Sequence, residues 1–203
     1  GLCIWQILDS SIVTDIIAKA GFKITLLDLE HGLLNPQTIQ NCVFSSQASS
    51  IFTIARLPSC SYEYIVQIID TGVDAVLFPH IETELDLEKI INQSLLYPKG
   101  NKSFSPFVPR NKYGMEKITV KDPSIGILIE SKLGIKNSKL LISNKNVDFV
   151  YFGAYDLSVE LLKQGDIFDA EIIENLKLIV KFANQFNKKV LAIYRNIEEL
   201  EIL

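Results

Sequence analysis

The fold is decided by "IFTIARLPSCSYEYIVQIIDTGVDAVLFPHI", residues 51–81. Its opening, "IFTIARL" (51–57), is a short, almost unbroken apolar run with β-branched residues, which predicts a strand. "SYEYIVQIIDTG" (61–72) has apolar residues at helical spacing and closes on a glycine, which predicts a helix. "DAVLFPHI" (74–81) predicts a second strand. Strands that are apolar throughout, rather than alternating, belong in a parallel sheet buried on both faces.

The same rhythm extends in both directions. Upstream, "GLCIWQIL" (1–8) reads as a strand. "SSIVTDIIAKAG" (10–21) reads as a helix with Ile12, Ile16, Ile17 and Ala20 on one face. "KITLLDLE" (23–30) is a strand, and "NPQTIQNCVFSS" (35–46) opens a helix with Asn35 at the cap and Pro36 at the first helical position. Downstream, "ELDLEKIINQSLL" (84–96) predicts a helix. "YPKGNKSFSPFVPRNKYGMEK" (97–117) holds no period and predicts a functional or mobile loop. Strand "SIGILIE" (124–130), helix "KLGIKNSKLLIS" (132–143), strand "VDFVYFGAYD" (147–156) and helix "LSVELLK" (157–163) follow. Helix "AEIIENLKLIVKFANQF" (170–186), strand "KKVLAIY" (188–194) and a final helix-like segment complete the chain.

Seven strands with helices between them define an α/β protein, either a (β/α)8 TIM barrel or an open doubly wound sheet. "QILDSS", after the first strand, is no glycine-rich phosphate loop, which favours the barrel. The expected fold is a TIM barrel without its eighth βα unit in this chain. It forms a single domain over 1–203, incomplete at its C-terminus, with an authentic N-terminus upstream of "GLCIWQI".

Composition narrows the partners. The chain has 203 residues, 48% hydrophobic and 22% charged, which suits one soluble domain. A net charge of -4 and a pI near 5.3 give no reason to expect nucleic acid. No apolar stretch approaches the ~18 residues that a membrane span needs. Cys3, Cys42 and Cys60 lack metal-ligand spacing and read as reduced thiols of a cytoplasmic protein. Only three arginines occur, Arg56, Arg110 and Arg195, so an arginine inside an apolar run is informative.

In a barrel, chemistry gathers at the C-terminal ends of the strands. Those ends carry Asp28, Glu30 and His31, then Arg56, His80, Glu130 and Asp156. Their spacings are 25 (31 to 56), 24 (56 to 80), 50 (80 to 130) and 26 (130 to 156). The doubled interval contains the long loop. Glu130 and Asp156 end neighbouring strands, and two converging carboxylates call for a cation between them, such as Mg2+ or Mn2+. Alternatively each caps the helix that follows it. His31 with Asp28 is an imidazole–carboxylate pair suited to acid/base work if the turn at Gly32 brings them together, or else a satisfied strand-end histidine. Arg56 wants an anion, either a structural carboxylate or a substrate oxygen. His80 reads as structural. Trp5 either walls the pocket or packs.

The segments "GFKITLLDLEHG", "IARLP", "IIDTGVDAVLFPHIET", "YPKGNKSFSPF", "ILIESKLGIKN" and "VDFVYFGAYDLS", in this order, resemble the signature of the HpcH/HpaI aldolase family. These are class II pyruvate aldolases of the aldolase/citrate lyase superfamily, and the resemblance spans Gly1 to about Tyr194. It implies a (β/α)8 barrel, homo-oligomers (trimers or hexamers), and metal-dependent cleavage of a 4-hydroxy-2-oxo acid to pyruvate and an aldehyde. It further implies Glu130 and Asp156 as ligands of Mg2+, Mn2+ or Co2+, and His31 with Asp28 as the acid/base dyad. Arg56 is implied at the keto-acid oxygen, the Gly153 backbone N–H at the substrate carboxylate, and Asp70 at an accessory position.

The chain departs from the family at Leu128, where glutamine is frequent, at Lys102–Ser103, where Arg-Gly is usual, and at "GAYDLS" in place of "GPADLS". These changes leave the expected metal and base intact and bear on the aldehyde. No lysine lies inside an apolar strand at the mouth, so a Schiff base is not expected. The alternatives are a citrate lyase-like or malyl-CoA-type lyase and a non-catalytic barrel that binds a keto acid.

Overall fold

The computed structural model describes residues 1–117 and 121–200. Residues 201–203 of the final helix-like segment lie outside them. The chain groups into two compact units, Gly1–Pro79 with Lys89–Ser124 and His80–Glu88 with Ile125–Leu203.

The first unit holds β1 (Cys3–Gln6), β2 (Ile24–Asp28), β3 (Phe52–Arg56) and β4 (Ala75–Phe78) in chain order, all parallel. Helices α1 (Ser11–Lys19), α2 (Pro36–Ser49) and α3 (Tyr62–Asp70) connect them. Strand β2 is buried from Thr25 onward, β3 from Thr53 onward, and β4 throughout. That accounts for their unbroken apolar sequences. Asn35 caps α2 as expected, its side chain accepting from the Thr38 N–H at 3.1 Å.

The second unit holds β5 (Ser124–Ile129) from Ile125 onward, β6 (Phe149–Phe152) and β7 (Lys189–Ala192), also parallel and in chain order. Helices α5 (Lys132–Ser143), α6 (Ala154–Glu160) and α7 (Ala170–Gln185) belong here, with the short α8 (Ile197–Leu200). Helix α4 (Glu84–Ser94) begins in this unit and ends in the first.

All seven expected strands are present. Three expectations need correction. Of the four residues expected on one face of α1 only Ile17 is buried, alongside Thr14, whereas Ile12 is 70% and Ile16 58% exposed. Thr14 turns inward because its hydroxyl donates to Gln6 Oε1 at 3.0 Å. Helix α6 starts at Ala154 rather than 157, so Asp156 stands in its first turn and is not a cap; Gly153 takes the cap position. The 97–117 segment contains a 3-10 turn over Pro109–Gly114 and is fastened at two points. Lys102, 8% exposed, bonds Asp70 Oδ1 at 2.6 Å. Arg110 donates to the carbonyls of Ile69, Val73 and Lys121. Cys3, Cys42 and Cys60 form no disulfide, and no helix among the described residues is long and apolar enough to cross a membrane.

Candidate functional site

In the first unit, strand pairing sets a charged cluster. Asp28 and Arg56 are the last residues of β2 and β3 and stand in register, so they meet although they lie 28 residues apart. Arg56 Nε and Nη2 grip the two oxygens of Asp28 at 2.8 and 2.5 Å. The third nitrogen, Nη1, meets Glu30 Oε2 at 2.9 Å. The guanidinium carbon lies 4.7 Å from the Trp5 ring centroid, and the Trp5 indole donates to Asp28 Oδ2 at 3.0 Å. Asp28 and Arg56 are 1% and 5% exposed. Burial disfavours the Asp28 charge, yet Arg56, the Trp5 indole and the Glu30 amide together hold its carboxyl below the ordinary carboxylate range.

Asp28 also shapes the turn that follows. Its Oδ1 accepts the backbone N–H groups of Glu30 at 2.9 Å and His31 at 3.3 Å. Glycine is required at position 32, where a Cβ would sit 2.2 Å from the Asp28 carbonyl oxygen. The imidazole–carboxylate bond expected between His31 and Asp28 is therefore not what joins them. Asp28 spends its oxygens on Arg56, Trp5 and backbone amides, and it reaches His31 through the main chain. The imidazole itself is exposed.

Asp70 ends α3 and pairs with Lys102, while the Ser103 amide donates to the Tyr62 hydroxyl at 3.1 Å. The Lys102–Ser103 departure thus makes specific contacts at the foot of the loop.

In the second unit, another group of polar residues is built on β5 and β6. Ile129 and Phe152 are in register, which places Glu130 and Gly153 at adjoining strand ends. Glu130 is 6% exposed. Its Oε1 accepts the His80 backbone N–H at 3.0 Å and lies 3.0 Å from His80 Nδ1. His80 adopts a left-handed φ of 55°, the conformation in which it presents that amide to Glu130. Gly153 is not available for its expected part, because its N–H already donates to the Ile129 carbonyl at 2.9 Å. What it supplies is room: a Cβ there would sit 2.4 Å from Glu130 Cβ and 3.2 Å from Oε2. Asp156 is exposed in the first turn of α6, close in sequence to this opening.

Glu130 is a hard carboxylate donor at a strand end, a donor type that suits an oxygen-seeking divalent cation. Among the described residues no group of three or more His, Cys, Asp or Glu gathers that could hold a metal ion. The sequence reading left Glu30 without a role and set His80 aside. The structure ties both to the charged groups at the strand ends, and the phase of both residues in the βα repeat was the available signal.

Ionisable groups at the carboxyl ends of parallel, helix-connected strands are the layout of an α/β enzyme. The chain belongs to the HpcH/HpaI aldolase/citrate lyase family, whose model matches residues 2–201; the resemblance read from the sequence is borne out. Among curated relatives are 5-keto-4-deoxy-D-glucarate aldolases of Salmonella gallinarum and Salmonella paratyphi A. Each is 24% identical over 188 residues, covering 91% of this chain and 73% of the relative. Among solved structures, an HpcH/HpaI aldolase/citrate lyase family protein from Burkholderia cenocepacia superposes with a TM-score of 0.92 at 19% identity. The match covers 98% of this chain and 81% of that one. The citrate synthase SbnG gives 0.85 at 22%, covering 98% and 79%, and macrophomate synthase 0.85 at 17%, covering 98% and 73%. These likenesses establish the fold.

Proposed function

We propose that the chain is a metal-dependent carbon–carbon lyase, a class II pyruvate aldolase that cleaves a 4-hydroxy-2-oxo acid to pyruvate and an aldehyde. One observation carries this reading. Glu130 is a buried carboxylate held by His80 beside the side-chain-free Gly153, and Asp156 stands in the first turn after the adjoining strand. Carboxylate oxygens suit a hard divalent cation, and the resemblance to the family implies Glu130 and Asp156 as its ligands. The aldolase names of the curated relatives support the same reaction.

Glu130 and Asp156 are the residues that would hold Mg2+, Mn2+ or Co2+, and the ion when bound would supply Lewis acidity to the substrate. His31, carried on the turn that Asp28 fastens, takes the proton of the C4 hydroxyl. As the C3–C4 bond breaks, Arg56 supports the negative charge that develops on the keto oxygen. Trp5 and Asp28 hold Arg56 in one orientation, and Asp70 with Lys102 positions the foot of the 97–117 loop. The βα units belong to a (β/α)8 barrel forming one domain, and the working protein is a cytoplasmic homo-oligomer. A lyase acting on CoA thioesters is less well supported, since all three arginines already have internal partners.

The test is a cleavage assay across 4-hydroxy-2-oxo acids with detection of released pyruvate, before and after exhaustive chelation and again after Mn2+ is restored. Activity should vanish and return. Turnover that survives chelation refutes the metal role. No pyruvate from any member of the panel refutes the aldolase.

A further inference from the structure

We infer that Glu30 is a positioning residue that occupies the Nη1 edge of Arg56 as a stand-in anion and gives it up to the carboxylate or keto oxygen of an incoming 2-oxo acid. This rests on the reading above that Arg56 meets a keto acid.

The starting point is charge. One guanidinium faces two carboxylates, Asp28 and Glu30, at distances of 2.5 to 2.9 Å. Taken together, these three side chains carry one net negative charge. In this state they repel a keto-acid anion, although Arg56 is the strand-end cation most suited to bind one. One carboxylate must therefore withdraw before such an anion can dock.

The two carboxylates are not equivalent. Asp28 is 1% exposed, takes two nitrogens of Arg56, and also accepts from Trp5 and two backbone amides. Its withdrawal would strand a buried guanidinium and undo the turn. The Glu30 side chain is 15% exposed and meets one of the Arg56 nitrogens, Nη1, where Asp28 takes two. It is carried on the bend after β2 rather than on the strand. Exchange of the Glu30 carboxylate for a substrate carboxylate conserves both the charge and the hydrogen bond at Nη1. The buried Asp28–Arg56 pair stays intact throughout.

Trp5 is the only tryptophan in the chain and lies against Arg56, so its emission reports on this cluster. The experiment titrates pyruvate, in buffer holding Mn2+, into the wild-type protein and the Glu30→Gln and Glu30→Asp variants, with Trp5 fluorescence as the readout. Glu30→Gln should lower the pyruvate Kd about fivefold or more, because the competing charge is gone. Glu30→Asp keeps the charge and should stay within about twofold of wild type. A Kd unchanged or raised in Glu30→Gln overturns the inference, since a merely structural Glu30 would loosen Arg56 and weaken binding. So does the absence of any pyruvate-dependent change in Trp5 emission in all three proteins. The cleavage assay stands apart: the expected Kd pattern without turnover would refute the aldolase and leave the Glu30 exchange standing.

Discussion

Gly153→Ala is the sharpest test of how the Glu130 end of the sheet is built. The new methyl would lie 2.4 Å from Glu130 Cβ and 3.2 Å from its Cα. Carbon atoms pack at about 3.5–4.0 Å, so the two strand ends must part by about 1 Å. A rotamer change gives no relief, because the Cβ and Cα of Glu130 are fixed to the backbone. Parting also strains the bond from the Gly153 N–H to the Ile129 carbonyl. Overpacking costs about 1–3 kcal/mol, and a weakened backbone hydrogen bond adds about 1. A total of about 2–4 kcal/mol, at about 2–4 °C per kcal/mol for a chain of this size, lowers Tm by about 5–15 °C. Thermal unfolding followed by circular dichroism measures this. Glu130→Gly removes the opposing Cβ, so the double variant should recover at least about 1 kcal/mol relative to the sum of the single changes. A Gly153→Ala protein whose Tm stays within about 2 °C of wild type would refute the close-approach argument.

Arg56→Met leaves Asp28 and Glu30 without their cation and should destabilise by about 3–5 kcal/mol, read from urea unfolding; a loss under about 1 kcal/mol would contradict the account of the cluster. The carboxyl of Asp28 is held below its ordinary value, so its stabilisation is fully present above the unfolded pKa of about 3.9 and is lost as pH falls through the folded one. Asp28→Asn should therefore be less stable than wild type at pH 6, and the gap should narrow below about pH 4; a gap constant with pH would contradict this. Burial pushes the Cys3 thiol up to about 11, so at pH 8 it should react with a disulfide reagent far more slowly than an ordinary thiol with a pKa of about 8.5. Reaction at the rate of a free cysteine peptide would show that the site opens. Lys102→Met removes the partner of Asp70 and should quicken proteolysis within 97–117, seen as an earlier nick on a gel.

The alternation of strands and helices was legible because both faces of a parallel strand are buried, and the sequence records this as unbroken apolar runs. The register of those runs was legible too, which is why Asp28, Arg56 and Glu130 were marked as strand-end groups. What the sequence could not reveal was who holds whom. Asp28 had a nearby histidine as its apparent partner, but the contact that formed is with Arg56, set by strand pairing rather than by chain proximity. Gly153 looked like a free donor because the ladder bond it completes depends on the neighbouring strand. Ile12 and Ile16 followed helical spacing faithfully, yet of that face only Ile17 is buried, and spacing alone carries no sign of which residues of a face find cover. Lys102 and Arg110 lie in a loop of ordinary polar composition, with no local sign that either side chain folds back onto α3.

The two fasteners at Lys102 and Arg110 divide a long excursion into short spans, leaving "SFSPFVP" between them as a tip tied down at either end. Closure entropy grows slowly with length, about 0.6 kcal/mol for each doubling, so residues can be added to or exchanged within that tip at little energetic cost. The anchors have no such freedom, since each buries a cation whose partners are fixed elsewhere. Variation in this chain's relatives should therefore concentrate between the two anchors, where surface chemistry can drift while the rest of the fold stays put.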